Sequence, residues 1–161
     1  MTNRINTRGT HLVCELSRCN PETLGSVNAV KHALESAAAA ANATALNGYF
    51  HQFSPSGISG VLCLAESHIS VHTWPECNYA AVDIYTCGDS TVPHRAISIL
   101  SAAFEAKEIQ IREISRGIAG ENNTFGSEDV SHKSPKAGRF MAPGPENANE
   151  HKRELPGKSN G

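Results

Sequence analysis

The sequence predicts an α+β domain, a two-layer sandwich of a mainly antiparallel sheet with two helices on one face. Three observations predict it. Two stretches carry apolar residues at helical spacing. Several strand-like runs lie between them, and their joining loops are too short for parallel crossovers. The order is strand, helix, a run of strands, helix, strand, which places two helices against sequence-adjacent strands.

Each element can be justified in turn. GTHLVCEL, Gly9 to Leu16, alternates loosely and reads as a first strand. Asn20-Pro21-Glu22-Thr23 reads as a helix start. Asn20 can cap, and Pro21 suits the first helical position because an N–H there has no partner to lose. Leu24, Val27, Val30 and Leu34 follow at helical spacing, and an alanine run extends to Ala41, so one long amphipathic helix is expected. Thr44 to Phe53 is a weaker strand interrupted by Asn47-Gly48, and Ser54-Pro55-Ser56-Gly57 is a turn.

Ile58 to Ala65 is apolar almost throughout and reads as a central strand. Ile69 to Trp74 and Tyr79 to Thr86 are the next two, joined by Pro75 to Asn78, a hairpin length. A second helix starts near Pro93, with Ala96, Ile97, Leu100, Ala103 and Phe104 as its buried stripe. Glu108 to Ile114 is expected to close the core as a last strand. If the sheet face without helices is also apolar, a partner must cover it.

The chain of 161 residues is read as one domain, residues 1–116, with a tail at 117–161. The tail is rich in Gly, Pro, Asn, Lys, Glu and Ser. Such a composition buries too little surface to offset its ordering entropy, so disorder is expected there. Charged residues make up 19% and the net charge is −2. That excludes the basic excess typical of nucleic-acid and membrane-surface binders. The absence of a long apolar run or a signal peptide in the sequence points to a cytoplasmic protein. Five cysteines, an odd number, fit free thiols better than a disulfide framework.

The segment AESHISVHTWPE, residues 65 to 76, concentrates the chemistry. His68 and His72 are four apart, but Ile69, Ser70 and Val71 favour a strand, where that spacing spans roughly 13 Å. One metal ion cannot bridge it, and no cysteine pair has CxxC spacing, so no metal site is predicted. Ser67 lies outside a GxSxG elbow and does not precede a helix. Cys87, just past a strand end, could pair with a histidine from the neighbouring strand. The sequence supplies no acid partner or oxyanion hole for a hydrolase. Taken singly, Ser67, His72 and Cys87 each read as structural residues; their combination in order changes the weighing.

GISG (57 to 60), ESHISVHTWPE (66 to 76) and YAAVDIYTCG (79 to 88) resemble the small prokaryotic S-adenosylmethionine decarboxylase proenzymes. GTHLVCEL and the phenylalanine in FHQF (50 to 53) match that layout too, so the resemblance covers roughly residues 9 to 116. Cys77-Asn78 departs from the tyrosine-glycine common in the family.

The resemblance implies self-cleavage at Glu66–Ser67. The Ser67 hydroxyl attacks the Glu66 carbonyl, an ester forms, and β-elimination leaves a pyruvoyl group derived from Ser67. The β-chain would be residues 1–66 and the α-chain 67–161. By similarity His72 is the processing base and Ser59 helps hold the reacting carbonyl. A tight hairpin of Ile58–Ala65 with Ile69–Trp74 would set Ser59 and His72 opposite each other, near Ser67. Strand alternation sets His72, Ser70 and Trp74 on one face and Ile69, Val71 and Thr73 on the other.

The implied chemistry is decarboxylation of S-adenosylmethionine through a Schiff base, with the pyruvoyl carbonyl as electron sink. Cys87 matches the family's proton donor. Phe53 and Trp74 are candidates to contact the sulfonium and adenine, and Glu76 to accept hydrogen bonds from the ribose hydroxyls. The product supplies aminopropyl groups for spermidine. A homodimer of processed protomers, packed through the sheets with active sites near the interface, is the expected assembly. One alternative is an ornithine or arginine decarboxylase on the same fold, which would have no ribose for Glu76. The other is an unprocessed regulatory homologue, against which stand Ser59, Glu66, Ser67, His72 and Cys87 together.

Overall fold

The computed structural model describes residues 7–117. Six strands form one antiparallel sheet: β1 (Gly9–Ser17), β2 (Ala45–Gln52), β3 (Ile58–Leu64), β4 (Ser67–Trp74), β5 (Tyr79–Cys87) and β6 (Glu108–Arg116). Their spatial order is β2-β3-β4-β5-β1-β6. The helices are α1 (Pro21–Leu24), α2 (Val27–Ala40) and α3 (Pro93–Ala103). The predicted fold class is the observed one. The tail expected at 117–161 lies, from residue 118 on, outside the described residues.

Strand alternation builds the core. Leu12, Cys14 and Leu16 of β1, Ile69 and Val71 of β4, and Ala80, Val82 and Ile84 of β5 are all buried on one face. Val30, Leu34 and Ala37 of α2 and Ala96 and Leu100 of α3 are buried with them, joined by Phe104. Each large apolar side chain removed from water here contributes roughly 1.5–3 kcal/mol. Within the ladder, a Cβ on Gly60 of β3 would stand 2.4 Å from the Phe50 ring of β2. The glycine is required because the aromatic ring occupies its side-chain space.

The opposite face carries His11, Glu15, Ser70, His72, Tyr79, Asp83 and Tyr85, which are half-buried or exposed. The same face also carries Val13, Val61 and Ala81, so its character is mixed. Among the described residues no helix is long and apolar enough to cross a membrane.

Two sequence expectations need correction. The expected single helix from Pro21 to Ala41 is two helices. Asn20 caps α1 as expected, accepting from Glu22 N–H at 3.0 Å. Gly25 then ends α1, and Ser26 starts α2 by accepting from Ala29 N–H at 3.3 Å. A weak helix former followed by a capping side chain resets the helix, although the apolar spacing runs on. The second correction concerns β6, which pairs only with β1, at the sheet edge, and stays exposed along its length. It is tied to α3 by His94, whose Nε2 lies 2.8 Å from Oε2 of Glu113, but its side chains stay exposed and do not close the core.

Candidate active site

β3 and β4 form a hairpin whose turn is Ala65–Glu66, with Leu64 paired to Ser67. Two-residue hairpin turns favour positive φ in the turn itself. Neither Ala65 nor Glu66 adopts it; Ser67 instead takes φ 150°. Residues with a side chain seldom tolerate such a value, and holding one there costs on the order of 1–3 kcal/mol.

The turn is pinned from two sides. Thr44 donates its main-chain N–H to Oε2 of Glu66 at 2.8 Å and its hydroxyl to Oε1 at 3.2 Å. The amide of Thr44 holds the Glu66 carboxyl below its ordinary value; burial opposes it, and the main chain of Glu66 and the Thr44 hydroxyl add smaller lowering effects. From the other side, Cys87 donates its main-chain N–H to the carbonyl oxygen of Glu66 at 2.9 Å. The Ser67 hydroxyl lies 3.2 Å from Nδ1 of His68.

Cys87 ends β5, opposite Gly9 of β1. A Cβ on Gly9 would come within 2.6 Å of the Thr86 carbonyl oxygen and 2.9 Å of the Cys87 sulfur, so only glycine lets β1 run beneath the thiol. Tyr85 shares this face. A hydrogen bond to Cys87, more than burial, raises the tyrosine's pKa. The guanidinium of Arg116 sits over the Tyr85 ring, 4.4 Å from its centroid.

A second cluster occupies the open end of the same hairpin. Phe53, Ser56, Ser59, His72, Trp74 and Glu76 line a cleft of about 280 Å³. Ser59 and His72 are paired across β3 and β4, with Oγ and Nδ1 2.7 Å apart. Ser56 donates to Oε2 of Glu76 at 2.8 Å, fixing one end of that carboxylate. Trp74 stacks on Tyr79 with ring centroids 5.3 Å apart. Phe53 is 50% exposed and Trp74 40%, so both present ring surface to solvent.

The candidate residues therefore fall into two groups. Glu66, Ser67 and Cys87 meet at the closed end of the hairpin. Phe53, Ser59, His72, Trp74 and Glu76 meet at the open end. Ser59 and His72 oppose each other as expected, and His72 shares the uncovered face with Ser70 and Trp74. Their expected nearness to Ser67 is not what the fold builds. His72 is five residues along β4 from Ser67, a separation of about 16 Å at ~3.3 Å per residue. The cause is the tight turn: strand positions are counted outward from Ala65–Glu66, so each residue added moves the pair away from the cut.

Sequence reasoning missed Thr44, Ser56, His68 and Tyr85 as neighbours of these groups. Ser56 lay inside the recognised Ser-Pro-Ser-Gly turn, and His68 directly beside Ser67. Their partners become visible only once the register is known.

The profile of the S-adenosylmethionine decarboxylase family matches residues 10–117. An S-adenosylmethionine decarboxylase proenzyme from Thermodesulfovibrio yellowstonii is 48% identical over 125 residues, covering 78% of this chain and 90% of the relative. One from Pyrococcus furiosus is 44% identical over 121 residues, covering 75% and 87%. Among solved structures, the adenosylmethionine decarboxylase from Aquifex aeolicus matches with a TM-score of 0.67 at 36% identity. That match covers 75% of this chain and 100% of the other.

Proposed function

The chain belongs to the S-adenosylmethionine decarboxylase family, and from that premise we propose that it is a self-cleaving proenzyme which decarboxylates S-adenosylmethionine with a pyruvoyl group made from Ser67. The observation that carries this reading is the hydrogen bond from Cys87 N–H to the Glu66 carbonyl. It sets the bond to be cut, the serine that cuts it and a thiol in one place.

In the cleavage, Oγ of Ser67 adds to the Glu66 carbonyl carbon. The Cys87 N–H already points at the oxygen on which negative charge develops, as an oxyanion donor must. Collapse with loss of the amide nitrogen gives an ester. Removal of the Ser67 α-proton then expels the Glu66 carboxylate. The dehydroalanine left behind tautomerises, and water replaces its nitrogen, releasing ammonia. Residues 1–66 and 67–161 separate covalently. The strained φ of Ser67 favours this course, since the acyl shift breaks the peptide bond that holds it.

The surroundings of Ser67 fit a pyruvoyl group: a tight turn at a strand end, with the main chain of Cys87 bonded to the Glu66 carbonyl beside it. The group would supply the electron sink for loss of carbon dioxide. Cys87 would deliver the proton to the substrate Cα. Phe53 and Trp74 would contact the sulfonium and adenine with their exposed rings, and Glu76, held by Ser56, would accept from the ribose diol. An ornithine or arginine substrate has no use for that carboxylate.

Residues 16 Å apart cannot serve one reacting centre. A second copy of the chain, docked on the uncovered sheet face, would bring its own Ser59, His72 and cleft to Ser67. His72 of that copy would take the α-proton.

Intact mass spectrometry of the purified protein tests the reading. Two chains split at Glu66–Ser67 are expected, the larger blocked by pyruvoyl, with Ser67→Ala remaining whole. A wild-type chain that stays whole after long incubation would overturn it.

A further inference from the structure

Ser67 and His68 are adjacent in sequence, yet strand alternation alone would turn their side chains to opposite faces. The unusual φ of Ser67 breaks that rule. Its hydroxyl reaches the imidazole of His68, with Oγ 3.2 Å from Nδ1. His72, by contrast, already has Ser59 as its partner at the far end of the hairpin. The first step of cleavage needs a base at the hydroxyl, and the nitrogen beside it belongs to His68.

We infer that His68 is the base of the acyl shift, a catalytic residue distinct from the one that removes the α-proton. The inference rests on the self-cleavage proposed above. Nδ1 takes the proton from Ser67 Oγ as Oγ bonds to the Glu66 carbonyl carbon. The same nitrogen returns that proton to the Ser67 amide nitrogen as the carbon–nitrogen bond breaks. The ester is an isomer of the amide, so nothing else is consumed. The two half-reactions thus use two histidines: His68, built into the turn, makes the ester, and His72 begins its elimination.

The setting of His68 suits this role. It faces Cys63 of β3, Tyr85 and Asp83 of β5, His11 of β1 and Arg116 of β6. Burial first, then the charge of His11 and, after the opposing Asp83, that of Arg116 hold its pKa below the ordinary histidine value. The neutral imidazole that can accept a proton is therefore the prevailing form near pH 7. Tyr85, edge-on at 6.0 Å between centroids, limits the swing of the ring.

The test uses hydroxylamine, which cuts an ester and leaves an amide intact. Wild type, His68→Ala, His68→Gln and His72→Ala are purified unprocessed, incubated with and without hydroxylamine, and followed by intact mass spectrometry. Circular dichroism checks folding. His72→Ala should accumulate a species that hydroxylamine splits at Glu66–Ser67. His68→Ala should stay whole under both conditions, with cleavage slowed on the order of 10²-fold, and added imidazole should restore part of the rate.

A folded His68→Ala that cleaves at the wild-type rate overturns the inference. So does one that stalls as a hydroxylamine-sensitive ester, which would place His68 after the acyl shift. A slow, folded variant deaf to imidazole assigns His68 to holding the turn and overturns it too. If His68→Ala does not fold, His68→Gln keeps similar bulk without a basic nitrogen, and its rate and hydroxylamine response decide on the same terms. A wild-type chain that never splits defeats the proposed function itself, not this step alone.

Discussion

Ser59 and His72 face each other across the β3–β4 hairpin at 2.7 Å, and the strand that carries His72 holds Ser67 about 16 Å away. Neither can act on the Ser67 of its own chain without breaking the ladder between them. Under the proposed function, a second chain would supply them.

Complementation therefore follows. Ser67→Ala and His72→Ala chains, each alone, should fail to yield pyruvoyl product. Unfolded together and refolded as a mixture, they should form pairs in which Ser67 of one chain meets His72 of the other. Mass spectrometry should then find the His72→Ala chain split and the Ser67→Ala chain whole. A mixture that stays unsplit would place both residues in service of one chain.

Under the proposed function Cys87 would serve cleavage through its main chain and decarboxylation through its sulfur. Cys87→Ala keeps the N–H on the Glu66 carbonyl, so self-cleavage should proceed at close to the wild-type rate. Release of labelled carbon dioxide with correct protonation of the product should fall on the order of 10²-fold, a usual loss for a proton-transfer group. Loss of cleavage would assign the thiol itself to maturation.

Under the proposed function Glu76 would bind substrate and take no part in cleavage. Glu76→Gln should leave cleavage intact and raise KM for S-adenosylmethionine about 10-fold or more, the cost of weakening charged hydrogen bonds to a diol. Ser56→Ala, which only frees one carboxylate oxygen, should shift KM in the same direction by a smaller factor. Steady-state kinetics of the processed variants reads both.

Stability should fall in alkali, and Cys14 explains part of the slope. Burial first, then the charges of Asp83 and Glu15, push its thiol from an ordinary 9.0 up to about 12. The unfolded chain releases that proton near pH 9 while the folded chain keeps it, so stability falls as pH rises through this window. Tyr79, raised mainly by burial and by its hydrogen bond to Glu15, adds a slope of the same sign. Urea unfolding between pH 8 and 10.5 should show a shallower loss for Cys14→Ala than for wild type, whatever the two absolute stabilities.

The fold was legible where one residue's neighbours in sequence decide its environment. Alternation in Ile69 to Trp74 correctly separated the buried face from the other. Asn20 and Pro21 marked a helix start by local chemistry alone. The break at Gly25–Ser26 was hidden because Leu24 and Val27 keep helical spacing across it. The exposure of Ile109, Ile111 and Ile114 was hidden for a different reason. Apolar residues in a strand-like run read as core, and only the sheet order places β6 at the exposed edge.

The site divided in the same way. Of the cleft residues, Phe53, Ser59, His72, Trp74 and Glu76 were named in the sequence, because the motifs that carry them are short and their order specific, and Ser56 was not. Their distance from Ser67 was not seen, because closeness in sequence becomes length along an extended strand. His68 escaped as a partner of Ser67 because parity sends adjacent side chains apart, and only the φ of Ser67 brings them back together.

The strand order has a consequence for the two pieces that a cut at Glu66–Ser67 would leave. β1, β2 and β3 belong to the first piece, and β4, β5 and β6 to the second. In the sheet they interleave: β3 borders β4, and β1 lies between β5 and β6. One strand of the shorter piece is thus clasped on both sides by the longer one, along three seams of hydrogen bonds in all. Pulling the pieces apart requires tearing every seam at once, so the cut changes the chain's connectivity and leaves its sheet in place. Its cost appears only after unfolding. The uncut chain folds as one molecule, whereas the cut pieces must first find each other, which makes refolding of the mature protein depend on concentration.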